Sequence, residues 1–272
     1  MRIVVYGLGI IGASLCASLK RAGHTVYGRN RSEKPISIAL ERGIIDGVSD
    51  DYTGADTVFL ALPPRVAMHE LCEGSFEDGT IVADICGVKA PLEDCVYSRP
   101  RNYRYVGTHP MAGKETSGIE SSSPTLFDGA NLILTRCAQT DATAFETVKQ
   151  LGKDMGFARI VECGAQKHDD MIALTSQLAH VVSNAYVKSP LTGDCIGFTG
   201  GSFQDMTRIA GVDDRIWAEL FLLNRDRLRG EIDRLRGARG KYIEALDSGN
   251  EEELRVLLRE GQEYHSRFLN KK

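Results

Sequence analysis

A chain of 272 residues, 42% hydrophobic and 26% charged, has the composition of an ordinary globular protein and enough length to bury one large core or two smaller ones. Its formal net charge of -4 offers no basic footprint, so neither nucleic acid nor an anionic membrane is an expected partner. No apolar run has the length of a membrane span, and "RIVVYG" directly after Met1 reads as a strand and not a cleavable leader, so the protein is expected in the cytoplasm.

From residue 1 to about residue 163, β-rich runs alternate with helix-like stretches, as a parallel α/β sheet requires. The runs are "RIVVY", "HTVYG", "TVFLAL", "TIVADI", "YRYVG", "ANLILT" and "ARIVEC". Several are apolar on both faces, which suits strands covered by helices on each side. Between the first strand and the first helix, "VVYGLGIIGASL" places Gly7, Gly9 and Gly12, with Leu8 and Ile11 between them. Gly7 suits a tight turn, Gly9 close approach of a pyrophosphate and Gly12 helix packing on the strand, so this turn is expected to bind a dinucleotide. The second strand ends in "VYGRNRSEK" without the acid that commonly holds a ribose. Arg29, Asn30, Arg31 and Ser32 stand there instead and suit a 2′-phosphate, so NADP is the expected cofactor, with NAD the alternative. Two solvated surface arginines remain a second explanation. "ALPP" ends the third main strand, and Leu62 and Pro63 are expected beside the cofactor, although a rigid loop start explains them equally well.

His109 follows "YRYVG" at the carboxyl edge of the sheet, where open α/β folds bind ligands. After Cys163-Gly164 the spacing becomes helical. Met171, Leu174, Leu178, Val181 and Ala185 form an apolar stripe, while Asp169, Ser176, His180 and Asn184 make a polar line lacking the Lys or Glu of an ordinary solvated face. Asp213-Asp214 caps a long predicted helix through "RIWAELFLLNRDRLRGEIDRL", and Ser248-Gly249-Asn250 breaks it before a last helix. The expected fold is therefore α/β: a Rossmann-type dinucleotide domain over 1–163, then an all-helical domain over 164–272. Seven scattered cysteines without a C-x-x-C pair are expected as reduced thiols, and no Cys/His spacing suggests a metal.

In this order, "GLGIIG", "DICGVK", "GTHPMAGKETSG", "HDDMIALTSQLAH" and "GSFQDMTRIAG" resemble the prephenate and arogenate dehydrogenases of tyrosine biosynthesis. The resemblance covers nearly the whole chain. It implies oxidative decarboxylation: hydride leaves the ring carbon bearing the hydroxyl, the ring carboxylate departs as carbon dioxide, and the ring becomes aromatic. It implies His109 as the base for the ring hydroxyl and Arg208 as the anchor of the ring carboxylate. His180, Gly201 and Glu115 are implied on the substrate side, Cys86 and Gly87 on the cofactor side, and a homodimer through the helical parts. Gly87 stands where relatives commonly carry a serine that bridges histidine and nicotinamide, and a water or the Cys86 backbone is expected to replace that contact. Gln177 and Ala179 also depart from the frequent "SHLPH". Both substrate side chains leave the ring chemistry unchanged, so prephenate and arogenate both stand. Because Lys272 follows directly on the last helical stretch, any inhibition by tyrosine is expected to be competitive. Two alternatives remain: another NAD(P)-dependent dehydrogenase or reductase of similar build, which would not need His109, His180 and Arg208 together, and a dinucleotide-sensing protein without turnover.

Overall fold

A computed structural model of the chain describes residues 1–113 and 116–270. Eight strands form one sheet: β1 (Arg2–Tyr6), β2 (Thr25–Arg29), β3 (Gly47–Val48), β4 (Thr57–Leu60), β5 (Ile81–Asp84), β6 (Arg104–Met111), β7 (Asn131–Thr135) and β8 (Arg159–Cys163). Their order is β3-β2-β1-β4-β5-β6-β7-β8. Helices α1 (Ile10–Arg21), α2 (Glu33–Glu41), α3 (Pro64–Glu73), α4 (Ala90–Tyr97) and α5 (Ala142–Asp154) alternate with the strands. Side chains alternate across each strand, so Ile3 and Val5 of β1 enter one apolar layer with Leu15, Leu19 and Phe145, while Val4 enters the other with Leu71 and Leu92. β4 and β5 are buried along their whole lengths, Val58–Leu60 and Ile81–Ala83 as apolar runs and Thr57 and Asp84 as buried polar ends.

The α/β expectation holds, with the last two strands, β7 and β8, running against the other six. β7 runs antiparallel to β6, pairing His109 with Ile133. The connection carries a 3-10 turn at Ile119–Ser121 and, among the described residues, no crossover helix, so the chain returns beside β6 in the opposite direction. The two-residue β3, too short for a hydrophobic pattern, is an added edge strand.

Beyond β8, α6 (Ala165–Ile172) continues through a π-helical stretch, Ala173–Leu178, into α7 (Ala179–Tyr186). The expected faces are only partly kept here: Leu178 of the apolar stripe is buried, and Ser176, His180 and Asn184 of the polar line are half-buried. Met171 and Leu174 of the apolar stripe are exposed, whereas His168, Asp169, Gln177 and Ser183 are buried. The wider turn offsets the side chains after it from those before it, while His168 and Asp169, which precede it, face β6 and α4. α8 (Gly201–Thr207) and α9 (Asp214–Leu223) follow. Asp213 caps α9 by accepting from Arg215 and Ile216 N–H, but the helix expected to run onward stops at Asn224.

The chain divides into two compact units, Met1–Asn224 and Arg225–Lys272. The second consists of α10 (Arg225–Asp247) and α11 (Glu251–Leu269), separated by Gly249 in the left-handed region at φ +63° and capped by Asn250, as the Ser-Gly-Asn break predicts. Among the described residues, no helix is long and apolar enough to cross a membrane. The expectation of reduced thiols fails at one pair: Cys72 on α3 and Cys95 on α4 are joined, with Cα atoms 6.6 Å apart. The packing of α3 on α4 brings together residues that sequence spacing alone did not pair.

Candidate active site

The sheet collects the expected cofactor residues along its carboxyl edge, because the loops after β1, β2, β4 and β5 all leave from the same ends of neighbouring parallel strands. Gly7 has φ +100°, and a Cβ there would stand 2.1 Å from Ala61 O; one at Gly12 would stand 1.8 Å from Gly7 O. Only glycine fits either position. A Cβ at Gly9 would meet nothing within 4 Å. Gly9 also opens α1 without a side-chain cap, so the first N–H groups of the helix stand beside open space, the arrangement that receives a pyrophosphate. Leu8 is buried and Ile11 packs against the core, so both support this turn.

At the end of β2 the four expected residues play different parts. Asn30 Oδ1 accepts from Leu8 N–H at 3.0 Å, and one Nδ2 hydrogen is donated to Ser32 O at 3.0 Å, so this side chain ties β2 to the glycine turn. The Arg29 guanidinium lies over the rings of Tyr6 (4.7 Å) and Tyr52 (4.8 Å) and 3.8 Å from Glu70. Arg31 and Ser32 are exposed. Arg29, Tyr52, His69 and Glu70 line a cavity of about 290 Å³ next to this strand end. Leu62 is half-buried, and Pro63 is the N-cap of α3, whose Arg65 N–H donates to Glu219 of α9.

His109 lies near the carboxyl end of β6, half-buried, with Nδ1 2.8 Å from His168 Nε2. His168 Nδ1 is in turn 2.7 Å from Asp169 Oδ1. A carboxylate accepts only, so His168 carries its hydrogen on Nδ1 and accepts at Nε2 from His109 Nδ1–H. The tautomer of His109 is thereby fixed, and Nε2 is left as the ring's proton acceptor. The Asp169 carboxylate also accepts from Lys89 N–H at 2.8 Å and Ala90 N–H at 2.9 Å, the first amides of α4. Burial holds the His109 imidazole well below its ordinary pKa, with His168 and Lys89 acting in the same direction. His168 is also lowered, because burial outweighs its bond to Asp169.

His168 was missed by the sequence reading, which placed only Asp169 on the polar line. The signal available was the His-Asp pair opening the first helix after the last strand. Gly87 presents no side chain to His109; a Cβ there would lie 3.9 Å from His109 Cε1 and 3.3 Å from Leu220 Cδ2. Of the expected stand-ins, the Cys86 N–H is engaged, donating to Asp84 Oδ2 at 2.8 Å. His168 holds the ring instead. Gln177 Nε2 donates to Leu220 O, and Asn224 Nδ2 donates to Gln177 Oε1 and Asp169 O, bracing α9 on the helix that carries Asp169.

His180 opens the second turn of the polar line, its Nδ1 donating to Ser176 O at 3.0 Å and its ring stacked on Trp217 with centroids 3.8 Å apart. One turn on, Asn184 Nδ2 donates to Ala210 O at 3.2 Å, which pins the segment just after Arg208 to α7. Arg208 ends α8 and Gly201 begins it, and both are exposed. Glu115 lies outside the described residues. Among the described residues, no group of three or more His, Cys, Asp or Glu is arranged to hold a metal ion.

Residues 15–162 match the model of the prephenate dehydrogenase nucleotide-binding domain, and residues 164–260 match that of the prephenate dehydrogenase dimerization domain. The chain belongs to the prephenate dehydrogenase family. Prephenate dehydrogenase of Bacillus subtilis (strain 168) is 30% identical over 270 residues, covering 91% of this chain and 71% of its own length. Cyclohexadienyl dehydrogenase of Zymomonas mobilis is 28% identical over 246 residues, 85% of this chain and 83% of its own. Among solved structures, A. aeolicus prephenate dehydrogenase in complex with hydroxyphenyl propionate and NAD+ is 29% identical, covers 98% of both chains and superposes with a TM-score of 0.86. The family of nucleotide-binding oxidoreductases accounts for the glycine turn, the sheet edge and the helical continuation together.

Proposed function

We propose that this chain oxidatively decarboxylates prephenate or arogenate with a nicotinamide cofactor, working as a cytoplasmic homodimer. The observation that carries the reading is the His109–His168–Asp169 chain of hydrogen bonds beside an open dinucleotide turn on the same sheet edge. A bound nicotinamide supplies the hydride acceptor. His109 Nε2 accepts the proton of the ring hydroxyl as hydride leaves the same carbon, and the imidazolium that forms is held by His168 and Asp169. The bond to the ring carboxylate then breaks, its electron pair enters the ring, and the proton returns to the phenolic oxygen as carbon dioxide departs. Arg208 anchors the ring carboxylate, with His180, Gly201 and Glu115 on the substrate side. Gly7, Gly9 and Gly12 receive the pyrophosphate, Leu8 and Ile11 shape the turn, and Leu62, Pro63, Cys86 and Gly87 border the cofactor.

NADP is the preferred cofactor in this reading. The support is the absence of an acid at residues 29–32 together with the exposed Arg31 and Ser32 and the partly exposed Arg29. The homodimer is supported by the exposed apolar residues of the helical part, among them Met171, Leu174, Leu246 and Leu258. Steady-state rates with prephenate and arogenate, each with NAD and NADP, test the whole reading. Turnover of at least one substrate is expected, and the absence of turnover in all four combinations by a protein that binds the cofactor would favour the dinucleotide-sensing alternative.

A further inference from the structure

Lys89 opens α4, yet its side chain is completely buried. Its stem crosses β6 at Gly107, where a Cβ would stand 3.2 Å from Lys89 Cδ and 2.2 Å from Thr135 Oγ1. Glycine at that position makes room for the lysine. The ammonium pairs with Asp84 Oδ2, whose partner oxygen accepts from Tyr105 OH at 2.7 Å. The backbone N–H of the same lysine donates to Asp169 Oδ1, the oxygen that holds His168 Nδ1. Lys89 is thus fixed at both ends within the hydrogen-bonded framework of the imidazole pair. A buried ion pair is weak support for stability, since apolar residues of similar volume serve as well or better, so its presence beside reacting groups asks for another reason.

We propose that Lys89 is a positioning residue that keeps a fixed positive charge close to the His109–His168 pair and thereby sets the pH below which the pair stops accepting a proton. The proposal rests on the reading of His109 as the base. Among the described residues, the titratable groups around the pair are Asp84 and Cys86 on and after β5, Glu93 on α4, Tyr105 on β6, and Asp169 on α6; Glu219 on α9 is engaged by Arg65 N–H. Burial pushes up Cys86 and Tyr105, which keeps both uncharged, and it raises Glu93. Among the described residues, Lys89 is therefore the cation set against both imidazoles, and it lowers each of them. Asp84 acts on His168 in the opposite direction and is the weakest of the influences there.

The test compares wild type with Lys89→Met and with Lys89→Met/Asp84→Asn, which leaves no lone buried carboxylate. Histidine Cε1 resonances are titrated by NMR, and kcat/KM is measured against pH. In both variants the midpoints of His109 and His168 are expected to rise by about one pH unit, further in the single than in the double variant, and the acid limb of kcat/KM is expected to rise with them. Unmoved midpoints in a double variant with native circular dichroism would overturn the proposal, leaving Lys89 a structural residue. Raised midpoints with an unmoved acid limb would instead overturn His109 as the base while the charge effect of Lys89 stood.

Discussion

His109 is held from behind: its Nδ1 faces His168, and the hydrogen-bond direction imposed by Asp169 leaves Nε2 to react. Replacement by Asn keeps a polar side chain of similar size but supplies no base, so kcat is expected to fall by about 10²–10⁴ with a smaller change in KM. Near-normal turnover of a folded His109→Asn protein would return the histidine to a structural role. The depressed pKa has its own signature. The neutral ring is the active form, so kcat/KM is expected to hold as pH falls through 6.5, the ordinary histidine value, and to decline only at lower pH. Stability declines at higher pH than activity does. Both rings have folded pKa values below their unfolded ones, so the unfolded chain binds more protons in that window, and stability should decline as pH falls below about 6.5. Urea unfolding at pH 7.5 and pH 5.5 measures it, and equal midpoints would contradict two neutral buried imidazoles. At Arg208 the expectation is different in kind. Removing a carboxylate anchor by Arg208→Ala should cost about 2–5 kcal/mol of substrate capture and spare cofactor affinity, and equal loss of both would indicate misfolding.

Among elements, the join of α6 to α4 matters most for the site. One carboxylate, Asp169, accepts the two leading amides of α4 and orients His168. Asp169→Asn puts an amide where only an acceptor fits. The variant is expected to lose about 1.5–3 kcal/mol for each charge-assisted bond weakened, and to lose about 10²-fold or more in kcat as the His168 tautomer is released. Thermal melting and kcat measured on one preparation separate these effects, and a variant with reduced stability but unchanged kcat would remove His168 from the proton chemistry. This join was only half legible in the sequence. The glycine turn, the strand alternation and the helix break at Ser248-Gly249-Asn250 follow local rules, and each stands where the pattern predicted. The inward turn of "KHDD" depends on the partners it meets, His109 on β6 and the first amides of α4, which a helical projection of the sequence does not contain. The reversed β7 and the Cys72–Cys95 pair were hidden for a related reason, since the return of a long connection and the packing of two helices are non-local events. Asn30 shows the limit at a single position: its side-chain type suits a phosphate, but its bonds to Leu8 N–H and Ser32 O are not legible in the sequence.

For the whole molecule, the deciding question is what covers the apolar residues left outside. α10 and α11 form a 48-residue unit, Arg225–Lys272, too small to supply a strong core by itself. Leu246 and Leu258 are 64% and 62% exposed, and Met171 and Leu174 show that the first unit also leaves part of its apolar stripe uncovered. Each leucine gains about 1.5–3 kcal/mol on full burial, so a few of them meeting a second copy outweigh much of the entropy lost on association. The matched dimerization-domain model extends over residues 164–260 and includes all four positions. A homodimer is therefore expected at micromolar concentration, with a melting temperature that rises with protein concentration because folding and association are linked. Leu246→Asp/Leu258→Asp places two charges on the proposed contact and should shift sedimentation toward the 29.8 kDa monomer. The double variant should retain the cofactor affinity of Met1–Asn224 if the two tasks reside in separate units. Wild-type protein that sediments as a monomer across that range, with a melting temperature independent of concentration, would rule out this contact and require another cover for the exposed leucines.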